Sequence, residues 1–133
     1  MITADELNSL FHHRLPGLIG MKITQVEPRR LKATLALRSE LLAPNGYLHG
    51  ATVVALANTA CGCGAIAHMP AGAKGFTTIE LKCNFLGTAR EGSIACDASL
   101  EHEGRKTQVW DAVVKDSQGR AIALFRCTQM ILW

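Results

Sequence analysis

The chain has 133 residues, of which 48% are hydrophobic, 19% are charged and only 5% are aromatic. This composition is typical of one globular domain whose core is filled by small aliphatic side chains, and we expect a single domain over residues 1–133. The net charge of +3 comes without a basic stripe interleaved with aromatic residues, which argues against nucleic-acid binding. The acidic start, MITADELNSL, lacks the basic and apolar regions of a signal peptide.

The first elements are a short helix and two strands. A capping box, Thr3 to Glu6, predicts a helix that runs to about His13 and that Pro16-Gly17 ends. Alternating apolar residues then predict strands over 21–27 and 30–37, joined by a tight turn as an antiparallel hairpin. A loop with turn-forming residues follows over 39–48.

The longest apolar segment is HGATVVALANTACGCGAIAHM, from His49 to Met69. It has no proline and carries no charge between Gly50 and Ala67, which predicts a long helix (about residues 50–68) buried on nearly all sides. Its small residues and the lack of anchoring flanks argue against a membrane span. Gly62 and Gly64 predict close approach of another backbone, for which the helix of a dimer partner is the expected source.

Four alternating segments follow, over 76–85, 93–100, 107–114 and 121–132. Their connections are too short for helical crossovers, so we expect an antiparallel meander. In the first of them, alternation places Thr78 and Glu80 on the face opposite Ile79 and Leu81. The predicted fold class is α+β: an antiparallel sheet of about six strands wrapped around the long central helix, with a short N-terminal helix.

The five cysteines indicate a reduced protein without a metal site. Their number is odd, and all five lie in apolar runs. Cys61 and Cys63 are separated by one residue, a spacing that fits neither a CxxC redox motif nor a zinc site. We therefore expect buried thiols and a cytoplasmic location. His12 and His13 lack further ligands at a suitable spacing.

Three stretches carry a family resemblance: NGYLHGATVVALANTACG, FTTIELKCNFLGTAREG and GRKTQVWDAVVKDSQGR. They resemble the hotdog-fold acyl-CoA thioesterases, in particular the phenylacetic-acid-degradation-type branch of the 4-hydroxybenzoyl-CoA thioesterase superfamily. The likeness runs from about Met21 to the C-terminus. It implies a hotdog fold, an acyl-CoA or acyl-ACP substrate (so that coenzyme A is part of the substrate and no cofactor is needed), and homodimers or homotetramers with active sites at the dimer interface.

The resemblance also assigns roles to four residues. Gly50 corresponds to the glycine whose N–H polarises the thioester carbonyl, and a helix start suits a developing oxyanion because its N–H groups are unpaired. Thr78 corresponds to the Ser or Thr on the facing strand. Asn58, eight residues after Gly50, stands where the catalytic Asp or Glu is expected. A neutral amide cannot take a proton from water or attack as a carboxylate does, although it can hold a water. His49 is either a catalytic acid/base or a residue that fixes the helix start.

Other positions depart from the family pattern or extend it. Ala43 replaces an Asn or Gln that orients water or substrate, with Asn45 as the nearest substitute, and Phe85 replaces a His found in some relatives. The turn residues expected to contact coenzyme A are Thr88, Arg90, Arg105 and Lys106; the alternative is that they are ordinary solvated turn residues.

Three functions remain open at this point. The leading hypothesis is thioester hydrolysis with Asn58 in place of the carboxylate. The alternative is a non-catalytic hotdog protein that binds acyl-CoA or a related ligand. A hydratase or dehydratase ranks last, because His49 has no acid near it in the sequence. Cys61 is a nucleophile or a packing residue, and Asp111 is an inward acid or lies on an exposed sheet face.

Overall fold

The computed structural model describes residues 1–133 and confirms the predicted architecture. The helices are α1 (Ala4–Ser9), α2 (Leu15–Ile19) and α3 (Gly50–Ala67), with a 3₁₀ turn at Ser39–Leu41. The strands are β1 (Met21–Glu27), β2 (Arg30–Ala36), β3 (Gly75–Phe85), β4 (Ser93–Glu103), β5 (Thr107–Lys115) and β6 (Ala121–Leu132). They form one six-stranded antiparallel sheet whose inner face packs on α3.

The strand order is β1-β2-β4-β5-β6-β3, so the predicted meander is right only for β4, β5 and β6. Strand β3 pairs with β6 instead of β4, because β2 already occupies the other edge of β4. The segment 86–92 therefore crosses the end of the sheet. It is tied there by the Leu48 N–H, which donates to the Ala89 carbonyl at 3.2 Å, and by the Leu37 N–H, which donates to the Gly92 carbonyl at 2.8 Å.

The two glycines inside α3 face aromatic rings of the same chain. A Cβ atom on Gly64 would lie 2.5 Å from the ring of Trp110, and one on Gly62 would lie 3.3 Å from the ring of Phe76. For Gly64 the prediction that a partner's backbone requires the glycine is therefore wrong, because the Trp110 ring requires it; for Gly62 it stays a prediction. By length and composition α3 could cross a membrane, but 50% of it is buried inside this chain.

The N-terminal region differs from the prediction in its helix boundaries. The capping box is present, since Thr3 Oγ1 accepts from the Glu6 N–H at 3.2 Å and Glu6 Oε2 accepts from the Thr3 N–H at 2.8 Å. However, α1 ends at Ser9, and the short helix α2 follows. Pro16 lies in the first turn of α2, where a missing N–H leaves no bond unmade. Gly20, with a φ of +85°, ends that helix.

The two edges of the sheet differ in how they are covered. On β1, the side chain of Asn8 donates to the Ile23 carbonyl at 2.9 Å and accepts from the Ile23 N–H at 2.8 Å, as a neighbouring strand would. The β3 edge has no such cover. The inner face of β3 also leaves Leu81 42% and Phe85 54% exposed. An open strand edge beside exposed apolar side chains is typical of an interface.

Candidate active site at helix α3

The start of α3 offers one free hydrogen-bond donor. His49 is the N-cap: its Nδ1 accepts from the Ala51 N–H at 2.9 Å, and its carbonyl accepts from the N–H groups of Thr52 and Val53. The Gly50 N–H alone in this first turn has no acceptor in the chain. His49 thus fixes the helix start, and Gly50 presents an N–H at the positive end of the helix dipole.

Phe85 forms a wall beside this donor. A Cβ on Gly50 would lie 3.1 Å from Cζ of Phe85, so the ring lies directly against the glycine. The position that carries a His in some relatives therefore supplies an apolar surface and no titratable group next to the Gly50 N–H.

Asn58 lines a cavity of about 290 Å³ between α3, β3 and the two N-terminal helices. The cavity contains no charged side chain. Its polar residues are Asn58, Thr59 and Thr78, and its apolar walls include Phe11, Pro16, Ile66 and Phe76. This lining suits a neutral, largely apolar ligand group with a few hydrogen bonds.

The Asn58 side chain has an unmet hydrogen-bonding need. Its Oδ1 is buried and has no partner in the chain. Buried polar atoms in native proteins are almost always paired, so a single orphan calls for a specific explanation. A ligand, a water or a second copy of the chain at this cavity would each supply the missing donor.

The cysteines near this cavity are poor nucleophiles. Burial raises the pKa of the Cys63 thiol, which lines the cavity, to about 12. A hydrogen bond with Cys127, together with burial, raises the pKa of Cys61. Both thiols therefore stay protonated near neutral pH, and the packing interpretation of Cys61 is favoured.

Thr78 reaches the cavity because β3 contains a bulge. Thr78 pairs with Gln129 of β6 and Leu81 pairs with Cys127, so the ladder shifts by one residue around Ile79. Simple alternation had placed Thr78 on the face opposite Leu81. The bulge brings both side chains onto the inner face, and the predicted face of Thr78 is wrong for this reason.

Gly50 and Asn58 of one chain cannot serve the same thioester. Eight helical residues separate them, which at about 1.5 Å per residue is about 12 Å along the axis. A carbonyl carbon and its oxygen are about 1.2 Å apart. One copy of α3 therefore holds the two halves of the predicted site at two separate places.

The predicted coenzyme A contacts fall into two groups. Near the start of α3, Arg90 lies 4.1 Å above the ring centroid of Tyr47. Thr88 Oγ1 accepts from the Leu48 N–H at 3.2 Å, and Asn45 Oδ1 accepts from the Tyr47 N–H at 3.1 Å. Tyr47, Thr88 and Arg90 line one surface cavity of about 340 Å³. The oxygens of Asn45 and Thr88 thus already stabilise the loop.

Arg105 and Lys106 lie at the opposite end of α3. The neighbouring Gln108 donates to the carbonyl of His68, the C-cap of the helix, at 2.9 Å. The 18 residues of α3 span about 27 Å. Arg105 stacks on Trp133 at 5.2 Å from the ring centroid. In one chain, therefore, these two residues do not join the group around Arg90.

Asp111 is predicted to be either an inward acid or a residue of an exposed sheet face. Asp111 lies on the outer sheet face and pairs with Arg126, whose Nη2 is 2.7 Å from Asp111 Oδ2. It is not an inward acid. No group of three or more His, Cys, Asp or Glu side chains is arranged to hold a metal ion.

Comparison with known proteins identifies the family. The model of the thioesterase superfamily matches residues 45–123, a range that includes α3 and the strands that pack on it. The chain belongs to the thioesterase superfamily. It is 31% identical over 114 residues to a 1,4-dihydroxy-2-naphthoyl-CoA hydrolase of Listeria monocytogenes, covering 86% of this chain and 92% of that protein.

Solved structures of thioesterases share the fold of this superfamily member. A mutant thioesterase of Pseudomonas aeruginosa superposes with a TM-score of 0.95 at 24% identity, over 99% of this chain and 95% of the other. The PaaI protein from the phenylacetic acid degradation operon of Escherichia coli superposes with a TM-score of 0.86 at 17% identity, over 99% of this chain and 97% of that protein. At these identities the likeness shows the fold alone.

Sequence reasoning missed several residues that line the Asn58 cavity or bond to a residue of its lining. Phe11, in the turn between α1 and α2, and Pro16 of α2 reach the Asn58 cavity through packing that leaves no signal in the sequence. Gln129, which bonds to Thr78, did leave one. It is a polar residue at an inward position of an otherwise apolar alternation, between Cys127 and Ile131.

Proposed function

We propose that this protein hydrolyses acyl-CoA thioesters, with acyl-ACP as the other possible carrier. The observation that carries the proposal is the unpaired Gly50 N–H at the start of α3, in a chain of the thioesterase superfamily. This donor would bind the thioester oxygen and stabilise the negative charge that develops there as the carbonyl carbon is attacked. The His49 cap keeps the neighbouring backbone fixed in helical geometry.

The attacking group in this proposal is water. Water adds to the carbonyl carbon, the carbon–sulfur bond breaks, and the thiolate leaves and takes up the proton that the water gives away. Asn58 and Thr78 line one cavity and can accept hydrogen bonds from such a water. Because neither group can remove a proton near neutral pH, we expect turnover well below that of a carboxylate-bearing site.

We further propose that two copies share each site. Gly50 of one copy and Asn58 of the other must meet, because about 12 Å separates them within one helix. The open β3 edge, with Leu81 and Phe85 exposed on its inner face, supports a homodimer that pairs along β3. A homotetramer would be a pair of such dimers.

Sedimentation tests this assembly with two matched substitutions. Leu81 and Leu124 are 42% and 45% exposed, but Leu81 faces α3 and Leu124 lies on the outer sheet face. We expect Leu81→Asp to give a monomer, and Leu124→Asp to keep the dimer. A wild-type protein that sediments as a monomer at assay concentration would contradict the shared site.

The substrate side of the proposal rests on the two cavities. The uncharged Asn58 cavity of about 290 Å³ favours a neutral acyl group over one that carries a carboxylate. Tyr47 and Arg90 are suited to the nucleotide end of coenzyme A, since a guanidinium can pair with phosphate. Membership of the phenylacetic-acid-degradation-type branch and a cytoplasmic location, which the reduced cysteines suit, remain part of this proposal.

A second function is favoured by the residues that the site lacks. Asn58, Ala43 and Phe85 replace three polar or acidic groups of the family pattern, and none of the replacements can transfer a proton. A non-catalytic protein that binds acyl-CoA or a related ligand would need only the Gly50 donor and the two cavities.

A thiol-release assay on aromatic, short-chain and medium-chain acyl-CoA esters separates the two functions. The hydrolase predicts release above the uncatalysed rate for at least one acyl class. That release should be lost in Gly50→Pro, which removes the N–H, to a greater extent than in Gly50→Ala, which adds a Cβ against Phe85 but keeps the N–H. Binding of an acyl-CoA whose thioester is recovered intact, with no turnover on any member of the panel, would establish the binding protein instead.

A further inference from the structure

The inner face of the sheet contains a fully buried glutamine whose presence packing does not explain. Gln129 of β6 is 0% exposed and lies among inward-facing apolar residues, including Phe125, Cys127 and Ile131. A buried amide is costly unless it is hydrogen-bonded, and an apolar side chain of similar size would serve a core better. The hydrogen bonds that Gln129 makes therefore indicate what it is for.

Its strong hydrogen bond goes to Thr78. Thr78 Oγ1 donates to Gln129 Oε1 at 2.7 Å, across the paired positions of β3 and β6. The other end of the amide donates only to Cys127 Sγ, at 3.4 Å, and sulfur is a weak acceptor. The main partner of this buried amide is thus a residue of the Asn58 cavity.

This bond decides what the Thr78 hydroxyl can offer to a ligand. A hydroxyl has one proton to donate and two lone pairs that accept. With its proton committed to Gln129, Thr78 can only accept at the cavity. Asn58 Oδ1, the unpartnered acceptor of the same cavity, has the same requirement. Both groups therefore call for a donor such as the two hydrogens of a water.

We propose that Gln129 is a positioning residue that acts through Thr78. It holds the Thr78 hydroxyl so that its lone pairs face the cavity and fix the water or ligand donor bound there. This inference rests on the proposed function for its kinetic consequence. Its geometric part, the coupling between Gln129 and Thr78, applies equally to a protein that only binds its ligand.

The neighbouring strand supplies a matched control. Gln108 of β5 pairs with Gln129 and is also 0% exposed. Its amide donates to the His68 carbonyl at 2.9 Å and accepts from the Trp110 indole at 2.9 Å. It contacts the end of α3 and not the cavity. If both buried glutamines had a purely structural role, substituting either of them would have the same effect on stability and on activity.

The test is a double-mutant cycle of Gln129→Met and Thr78→Val, with Gln108→Met as the control. We expect Gln129→Met to lower kcat about tenfold with KM changed less than twofold, and to have no further effect when Thr78→Val is already present. Gln108→Met should lower the melting temperature and leave kcat unchanged. A Gln129→Met effect that is as large with Val at position 78 as with Thr, or an unchanged kcat, would overturn the inference.

Two additions keep the test decisive. If Gln129→Met does not fold, Thr78→Ser and Thr78→Val test the same hydrogen bond from the cavity side. The Thr78→Ser protein keeps the bond to Gln129 and should retain activity. A Thr78→Val protein that is equally active would refute the positioning role of Gln129. If the wild type hydrolyses no acyl-CoA, the proposed function fails by itself. The same cycle is then measured on the affinity for a non-hydrolysable acyl-CoA thioether, where zero coupling would refute the inference.

Discussion

Gly64→Ala should destabilise this protein by overpacking its core. The new Cβ would lie 2.5, 2.7 and 2.9 Å from three ring carbons of Trp110. Carbon atoms in contact prefer about 3.5–4.0 Å, so the helix and the ring must separate by about 1 Å. Trp110 cannot turn away, because it is 0% exposed and its indole N–H is bonded to Gln108 at 2.9 Å.

The magnitude follows from two opposing contributions. Overpacking a tight core costs up to about 3 kcal/mol, and Gly→Ala in a helix gains about 1 kcal/mol. The net loss is about 2 kcal/mol. For 133 residues with an unfolding entropy of about 2.1 cal/mol/K per residue, this corresponds to a fall of about 7 °C in melting temperature.

Gly62→Ala provides the control on the same helix. Its Cβ would lie 3.3 Å from Cζ of Phe76, a half-buried ring that needs to move only a few tenths of an ångström. We expect its stability to be unchanged or raised by up to about 1 kcal/mol. Thermal unfolding followed by circular dichroism, at one protein concentration, compares the variants. A Gly64→Ala protein as stable as Gly62→Ala would refute this account of the core.

Three further predictions concern single polar contacts that stabilise the fold. His49→Ala should cost about 1 kcal/mol of stability by removing the N-cap of α3, and His49→Asn should restore most of it in urea titrations. Arg30 holds the pKa of Asp97 below its usual 3.8 through a hydrogen bond, so the bond stabilises the fold above that pH and is lost as pH falls through the lowered value. The stability advantage of wild type over Asp97→Asn should therefore disappear as pH falls through that lowered pKa, and an advantage that grows on acidification would contradict the sign. Asn8→Asp cannot donate to the Ile23 carbonyl and should lower the melting temperature more than Asn8→Ser; equal values would show that the bond at the β1 edge adds nothing.

The elements of the fold could be predicted from the sequence because local patterns determine them. The uncharged run after His49 gave α3 its correct start, and the Thr3–Glu6 capping box began α1 as expected. The pairing of β3 with β6 could not be predicted, because alternation reports which face a residue takes and not which strand lies beside it.

The site could be predicted only in part for similar reasons. The roles of Gly50 and Asn58 come from the resemblance to the hotdog thioesterases and stay predictions, whereas the helix that carries both residues was predictable from its uncharged run. Thr78 was placed on the wrong face because a single bulge residue resets the alternation. The contact of Gly64 with Trp110 joins residues far apart in the chain, so no local pattern reveals it.

Activity of Asn58→Asp tests the central claim most directly. If Asn58 occupies the place of the family carboxylate, aspartate there supplies the missing base, and we expect CoA-thiol release to rise at least about 100-fold over wild type. The rate should also increase with pH through one carboxylate ionisation that the wild-type profile lacks. A folded Asn58→Asp protein with the wild-type rate and pH profile would contradict the claim.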